Sequence, residues 1–159
     1  MRIRELKLIR YGKFTDRTLA LPSNDRDIHF IVGPNEAGKS TIRTALGDWL
    51  FGIPTRTPLA FLHPMPELRV GGVIERLPSG SAEVQQLAFD RVKGNKNTLR
   101  TPEEGSLSDA VLQPWLGSLQ AQAFNRMYAL DHTTLVEGGA GILSASDDIG
   151  RMLFQSAAG

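Results

Sequence analysis

The sequence predicts an α/β fold in which a buried strand feeds a glycine-rich loop and the loop opens a helix. Three observations predict it. Ile28-His29-Phe30-Ile31-Val32 is a short, almost wholly apolar run, as expected for a strand covered on both faces of a sheet. Gly33-Pro34-Asn35-Glu36-Ala37-Gly38-Lys39-Ser40-Thr41 follows at once and matches the pattern G-x-x-x-x-G-K-[ST] in full. Beyond it Ile42, Ala45, Leu46, Trp49 and Leu50 recur at helical spacing until Gly52-Ile53-Pro54 closes the segment.

Strand, loop and helix in this order make a nucleoside triphosphate site. Backbone amides from about Asn35 to Ser40 must curl around phosphate oxygens, which needs glycine where a Cβ would block approach or where φ is positive. Gly33 and Gly38 stand at those places. The helix from Lys39 turns its unpaired N–H groups and positive dipole end toward the same anion. Lys39 adds a full charge at the β- and γ-phosphates, and the Ser40 hydroxyl is placed to ligate Mg²⁺. Pro34, Asn35, Glu36, Ala37 and Thr41 complete the candidate nucleotide-binding set, chiefly through backbone and a second hydroxyl. The expected cofactors are ATP and Mg²⁺.

Length and composition narrow the rest. A chain of 159 residues buries one core and requires no second domain. Hydrophobic content of 41% and charged content of 22% are ordinary for a globular domain. A net charge of +1 gives no global attraction to nucleic acid or to a membrane, so such a contact needs a local patch. The absence of cysteine excludes disulfides and thiolate metal sites and fits a cytoplasmic location. No apolar run is long enough for a membrane helix, and Met1-Arg2-Ile3-Arg4-Glu5 lacks the apolar core of a signal peptide.

Along the chain, residues 2–10 interleave Ile3, Leu6, Leu8 and Ile9 with charged residues, and Tyr11-Gly12-Lys13-Phe14 reads as a turn into a second strand over 17–21. An antiparallel hairpin therefore precedes the loop strand. Lys13, in its turn, is either a cation leaning over bound phosphate or a solvated lysine. Residues 53–66 hold four of the nine prolines and cannot be regular helix. His63 there has no second ligand at metal-binding spacing and reads as structural, while Arg56 and Arg69 are candidate phosphate or base contacts. Strands are expected over 68–77 and 83–93. Arg91, Lys93, Lys96 and Arg100 surround Gly94-Asn95, a basic hairpin tip that is either a nucleic-acid contact or a solvated turn. Helices are expected from Ser108, limited or kinked by Pro114, over 119–127, and late in the chain, with Ile149, Met152 and Leu153 as an apolar stripe.

A dependable acidic strand for Mg²⁺ and water does not appear. Leu87-Ala88-Phe89-Asp90 sits in an alternating strand followed by basic residues. Met127 to Asp131 is the better place, although His132 follows where an ATPase of the ABC type carries glutamate. Asp131 and His132 are the catalytic candidates there, with Asp131 a candidate metal ligand as well.

The order of hairpin, Gly-Pro-Asn-Glu-Ala-Gly-Lys-Ser-Thr loop, helix and β-insert resembles the N-terminal half of the SMC/SbcC/RecF class of ABC-type ATPase heads, and the YhaN-like group within it. The resemblance rests on the loop, on Tyr11-Gly12-Lys13-Phe14, Leu50-Phe51-Gly52-Ile53-Pro54 and Phe61-Leu62-His63-Pro64, and on the stretches from Ala129 to Gly139 and from Leu153 to Gly159. It implies a P-loop NTPase lobe over 1–159, with an antiparallel β-subdomain beside a mostly parallel core sheet. It also implies a coiled coil and a C-terminal lobe outside this chain, the latter supplying the signature motif, acidic strand and switch histidine. Implied partners are that lobe, a second head in an ATP sandwich, DNA and a nuclease subunit, in the cytoplasm or at the nucleoid. The class places a glutamine where this chain has Asp131-His132, so the water-orienting residue stays open. Two rival readings remain: a self-sufficient small-molecule kinase, and a non-catalytic interaction module with a remnant ATP site.

Overall fold

The computed structural model describes residues 1–22, 24, 28–78, 80, 82–129 and 135–136. The chain divides into two compact units, Met1–Ala121 and Gln122–Gly159. The first holds a six-stranded sheet in the order β2-β1-β3-β4-β5-β6, made of β1 (Arg2–Tyr11), β2 (Phe14–Ala20), β3 (Arg69–Arg76), β4 (Gln85–Val92), β5 (Leu99–Arg100) and β6 (Ser106–Leu107). Every neighbouring pair in it is antiparallel. The mostly parallel core sheet is therefore not seen among the described residues.

The spacing of apolar residues in β1 shows why the strand is irregular. Ile3, Leu6 and Leu8 do not alternate strictly, so a regular strand would turn one of them away from the core. Register shifts between Ile3 and Glu5, and again between Leu8 and Arg10, correct this. Leu6, Leu8 and Tyr11 all end up buried. Cross-strand partners then form rows: Leu6 opposite Gly72 opposite Phe89, and Leu8 opposite Val70 opposite Arg91.

Helix α1 (Lys39–Phe51) covers this face with Ile42, Ala45, Trp49 and Leu50. Trp49 is fully buried, stacks on Phe89 with ring centroids 4.7 Å apart, and donates its indole N–H to the Phe89 carbonyl at 3.1 Å. Gly72 makes room for it, since a Cβ there would lie 2.2 Å from the Glu5 carbonyl oxygen and 2.9 Å from the indole ring. The other face of the sheet is polar. Arg69 pairs with Asp90 at 2.6 Å and also with Glu104, and Arg4 pairs with Glu75 at 3.4 Å. Burial opposes the Arg69 charge, but its hydrogen bonds to the Glu104 and Asp90 carboxylates outweigh it and hold the guanidinium above its ordinary pKa.

One buried polar contact ties α1 to the end of β1: the Tyr11 hydroxyl donates to the Asp48 carboxylate. Burial pushes Asp48 from 3.8 up to about 6, opposed by the hydrogen bond from Tyr11, and burial with the neighbouring carboxylate pushes the Tyr11 hydroxyl up as well. The folded pKa of Asp48 exceeds its unfolded value, so folding favours the protonated acid. That stabilisation is complete below about pH 4 and is lost as pH rises through about 6. Asp48→Asn, which keeps an acceptor for Tyr11 without a charge, should therefore match wild type near pH 4 and exceed it near pH 7 by roughly 2–3 kcal/mol. Urea unfolding across that range checks this, and parallel profiles for the two proteins would refute it.

The connection Phe51 to Leu68 is irregular apart from a 3-10 turn at Met65–Glu67. After β6 come a 3-10 turn, Asp109–Leu112, capped by the Ser108 hydroxyl, and α2 (Gln113–Leu116). Pro114 lies in the first turn of α2, where its missing N–H costs nothing, so it opens a helix instead of kinking one. Helix α3 (Ala121–Met127) leads into the second unit, where Phe124 and Tyr128 place their rings 5.8 Å apart and Met127, Tyr128, Leu135 and Val136 are exposed. The late apolar stripe Ile149, Met152 and Leu153 lies outside the described residues, as do Asp131 and His132.

One expectation is corrected. Residues 28–32 form no strand, and Ile28, Phe30 and Val32 are 80%, 82% and 89% exposed. A strand covered on both faces needs neighbours in a sheet, and among the described residues this run has no ladder partner.

Candidate functional site

The glycine-rich loop runs from Gly33 to Gly38 and passes directly into α1. Its backbone takes positive φ at Glu36 (64°) and at Gly38 (101°). Gly38 also stands against the Phe14 ring: a Cβ there would lie 2.4 Å from the ring edge, so glycine is required on both counts. Gly33 faces Ala37, 2.9 Å from where a Cβ would be. The first intrahelical bond is from Ile42 N–H to the Gly38 carbonyl at 2.9 Å. The amides of Lys39, Ser40 and Thr41 therefore have no acceptor one turn back and face out of the helix end. No acidic residue stands in that first turn to repel an anion.

Two lysines converge on the loop. Lys39 donates its ammonium to the Gly33 and Pro34 carbonyls at 2.8 and 2.7 Å. Lys13, from the β1–β2 turn, donates to the Glu36 carbonyl at 2.6 Å. The turn itself lies on the loop, with Gly12 against Thr41 and Phe14 against Gly38. Lys13 was ambiguous in the sequence because the hairpin's approach to the loop depends on packing between residues far apart in the chain.

The residues fit a triphosphate with Mg²⁺. Free helix amides, a glycine bend that a Cβ would fill, and two cations on one loop form an anion cradle. Lys39 and Ser40 are both exposed, so their heads are accessible. No three metal-ligating side chains converge among the described residues. Mg²⁺ would then depend on the Ser40 hydroxyl and the phosphates themselves, a mode suited to this ion.

Other sequence candidates are occupied elsewhere. Arg69 is held by Asp90 and Glu104, which also makes Asp90 a structural acid of the sheet. Arg91 is buried and donates to the Trp49 and Leu50 carbonyls at 3.1 and 2.9 Å, to Thr98 at 2.9 Å and to Asp109 at 3.0 Å. It caps the C-terminal end of α1. Burial pulls its pKa down, and Asp109 opposes that. Arg100 donates to the Asn97 and Leu99 carbonyls at 2.6 and 2.8 Å. Of the basic 91–100 stretch, Arg91 is thus spent on the end of α1 and Arg100 on its own hairpin backbone, and Lys96 is its exposed charge.

A cavity of about 730 Å³ opens at the far end of α1 from the loop, lined by Phe51, Ile53, Arg91, Lys96, Asp109 and Leu116 among others. It contains no loop residue, and its buried cation is already committed. The anion chemistry lies at the loop.

The whole chain, residues 1–159, matches the profile of the family described as AAA domain. It is also 30% identical, over 133 residues, to the uncharacterized protein YhaN of Bacillus subtilis (strain 168). That match covers 82% of this chain and 13% of the relative, so the chain spans a small part of that protein's length. No solved structure matches it. A family match along the full length, on a chain whose loop enters its helix with this geometry, means that the chain belongs to the AAA domain family of P-loop NTPases.

Proposed function

We propose that this chain is the ATP·Mg²⁺-binding lobe of an SMC/SbcC-like, DNA-associated ATPase, and that a C-terminal lobe and a second head complete hydrolysis. The observation that carries the reading is the loop from Gly33 to Gly38, which opens α1 with free amides and is met by the ammonium groups of Lys39 and Lys13. On binding, Lys39 would exchange the Gly33 and Pro34 carbonyls for β- and γ-phosphate oxygens. Lys13 would reach the same phosphates from the opposite side, and Ser40 would hold Mg²⁺. The metal ion supplies charge neutralisation between the phosphates.

Hydrolysis further needs a group that orients the attacking water, and the sequence candidates for it, Asp131 and His132, lie outside the described residues. In this reading that group comes from outside the chain. The same lobe would cover Ile28–Val32, turning the exposed run into a strand of a mostly parallel sheet. A self-sufficient kinase needs a lid with inward arginines, and the commitment of Arg91 and Arg100 weighs against it. A location in the cytoplasm, at the nucleoid, belongs to the same proposal.

The test is paired binding and turnover. The chain should bind ATP·Mg²⁺ in calorimetry yet turn it over well below about 1 per second, a modest rate for an enzyme. Adding the C-terminal lobe in trans should raise turnover at least tenfold. Lys39-dependent hydrolysis at about 1 per second or faster by the chain alone would replace this reading with a stand-alone ATPase or kinase.

A further inference from the structure

We propose that His63 is a positioning residue of the triphosphate site, acting through the β1–β2 turn; the inference rests on the ATP-binding reading above. His63 Nε2 lies 2.9 Å from the Phe14 carbonyl oxygen and 3.1 Å from the Thr15 hydroxyl. A carbonyl oxygen only accepts, so Nε2 carries the proton and donates to Phe14. A second tie comes from the same proline-rich segment, where the Leu59 carbonyl accepts the Gly12 N–H at 3.0 Å.

The turn is thus held from behind at residues 59 and 63 and pressed against the loop in front. Its three residues meet two points of the loop and one in the first turn of α1. Gly12 lies against Thr41, the Lys13 ammonium bonds the Glu36 carbonyl, and the Phe14 ring backs Gly38. Two of those points, Glu36 and Gly38, are where the loop backbone takes positive φ. Glycine takes that conformation freely, but at Glu36, which carries a side chain, it is strained and relaxes unless its surroundings hold it. Residues 53–66, with Pro54, Pro58, Pro64 and Pro66, form a support that has little freedom to follow the turn if the tie is lost.

His63 therefore holds the cradle in its binding shape without touching the nucleotide. Preorganisation of this kind appears as affinity. The side chain is only half-buried and Thr15 lies in β2, the edge strand, so losing the contact leaves the core under α1 intact.

The experiment is titration of the full chain with ATP·Mg²⁺ for wild type, His63→Ala, His63→Gln and His63→Asn, with thermal unfolding of each. Glutamine places an N–H donor close to the position of Nε2, whereas asparagine is too short to reach. His63→Ala and His63→Asn should weaken binding about three- to tenfold, the value of one neutral hydrogen bond. His63→Gln should return to within about twofold, with unfolding temperatures within a few degrees throughout. The Gln and Asn pair carries the comparison if the alanine variant does not fold. Wild-type affinity in His63→Asn, or a glutamine variant as weak as asparagine, overturns the positioning role while leaving the ATP site standing. No binding by wild type overturns both.

Discussion

Lys39→Ala is expected to weaken ATP·Mg²⁺ binding by roughly 30- to 100-fold while leaving the unfolding temperature nearly unchanged. The size follows from losing a charge-assisted contact to phosphate, worth about 2–3 kcal/mol. The small stability effect follows from where the side chain is. Lys39 is exposed, and its partners are carbonyls of the loop itself, which water can solvate in its place. Isothermal titration with unfolding controls separates the two. Equal affinity in both proteins would remove the loop as the nucleotide site, and with it the role proposed for His63.

Trp49→Ala should have the opposite profile, costing about 3–5 kcal/mol of stability, with binding lost only because the chain unfolds. Trp49 is the largest fully buried side chain among the described residues. Its removal leaves a cavity bounded by Phe89, whose stacked ring loses its partner, and by Gly72, which has no side chain to move into the space. The Phe89 carbonyl also loses the indole donor. Arg91 adds to the cost, because it caps the helix end through the Trp49 carbonyl, which shifts if α1 settles toward the sheet. Urea unfolding measures the loss. A change under about 1 kcal/mol would mean that α1 is held chiefly by contacts other than this one.

The contrast between these two residues reflects how the chain is divided along α1. Its first turn is chemical and exposed, and its last two turns are packed. Tyr11 and Asp48 join β1 to α1, and the turn that follows Tyr11 is the one that lies on the loop. Sheet, helix and loop are thereby coupled through adjacent residues of one hairpin.

What the sequence determined by itself is what neighbouring residues decide. The loop's glycines and its Gly-Lys-Ser-Thr end, the apolar period of α1, the turn at Tyr11 to Phe14 and the strands around 68–77 and 83–93 all depend on spacings of a few residues, and all appear in the structure close to where the sequence puts them. The tertiary structure decided everything that depends on distant partners. Ile28–Val32 has the composition of a buried strand, but a strand is a pairing and not a composition, and without a neighbouring ladder it stays exposed. Arg69, Arg91 and Arg100 look alike in sequence as surface cations. Only packing shows that one spans the polar face of the sheet, one caps α1 and one closes its own hairpin. Lys13 and His63 are the same case in reverse: the sequence leaves Lys13 open between a phosphate contact and a solvated lysine and reads His63 as structural, and each acquires its place because a hairpin turn and a proline-rich segment, 48 residues apart at Thr15 and His63, meet beside the phosphate loop.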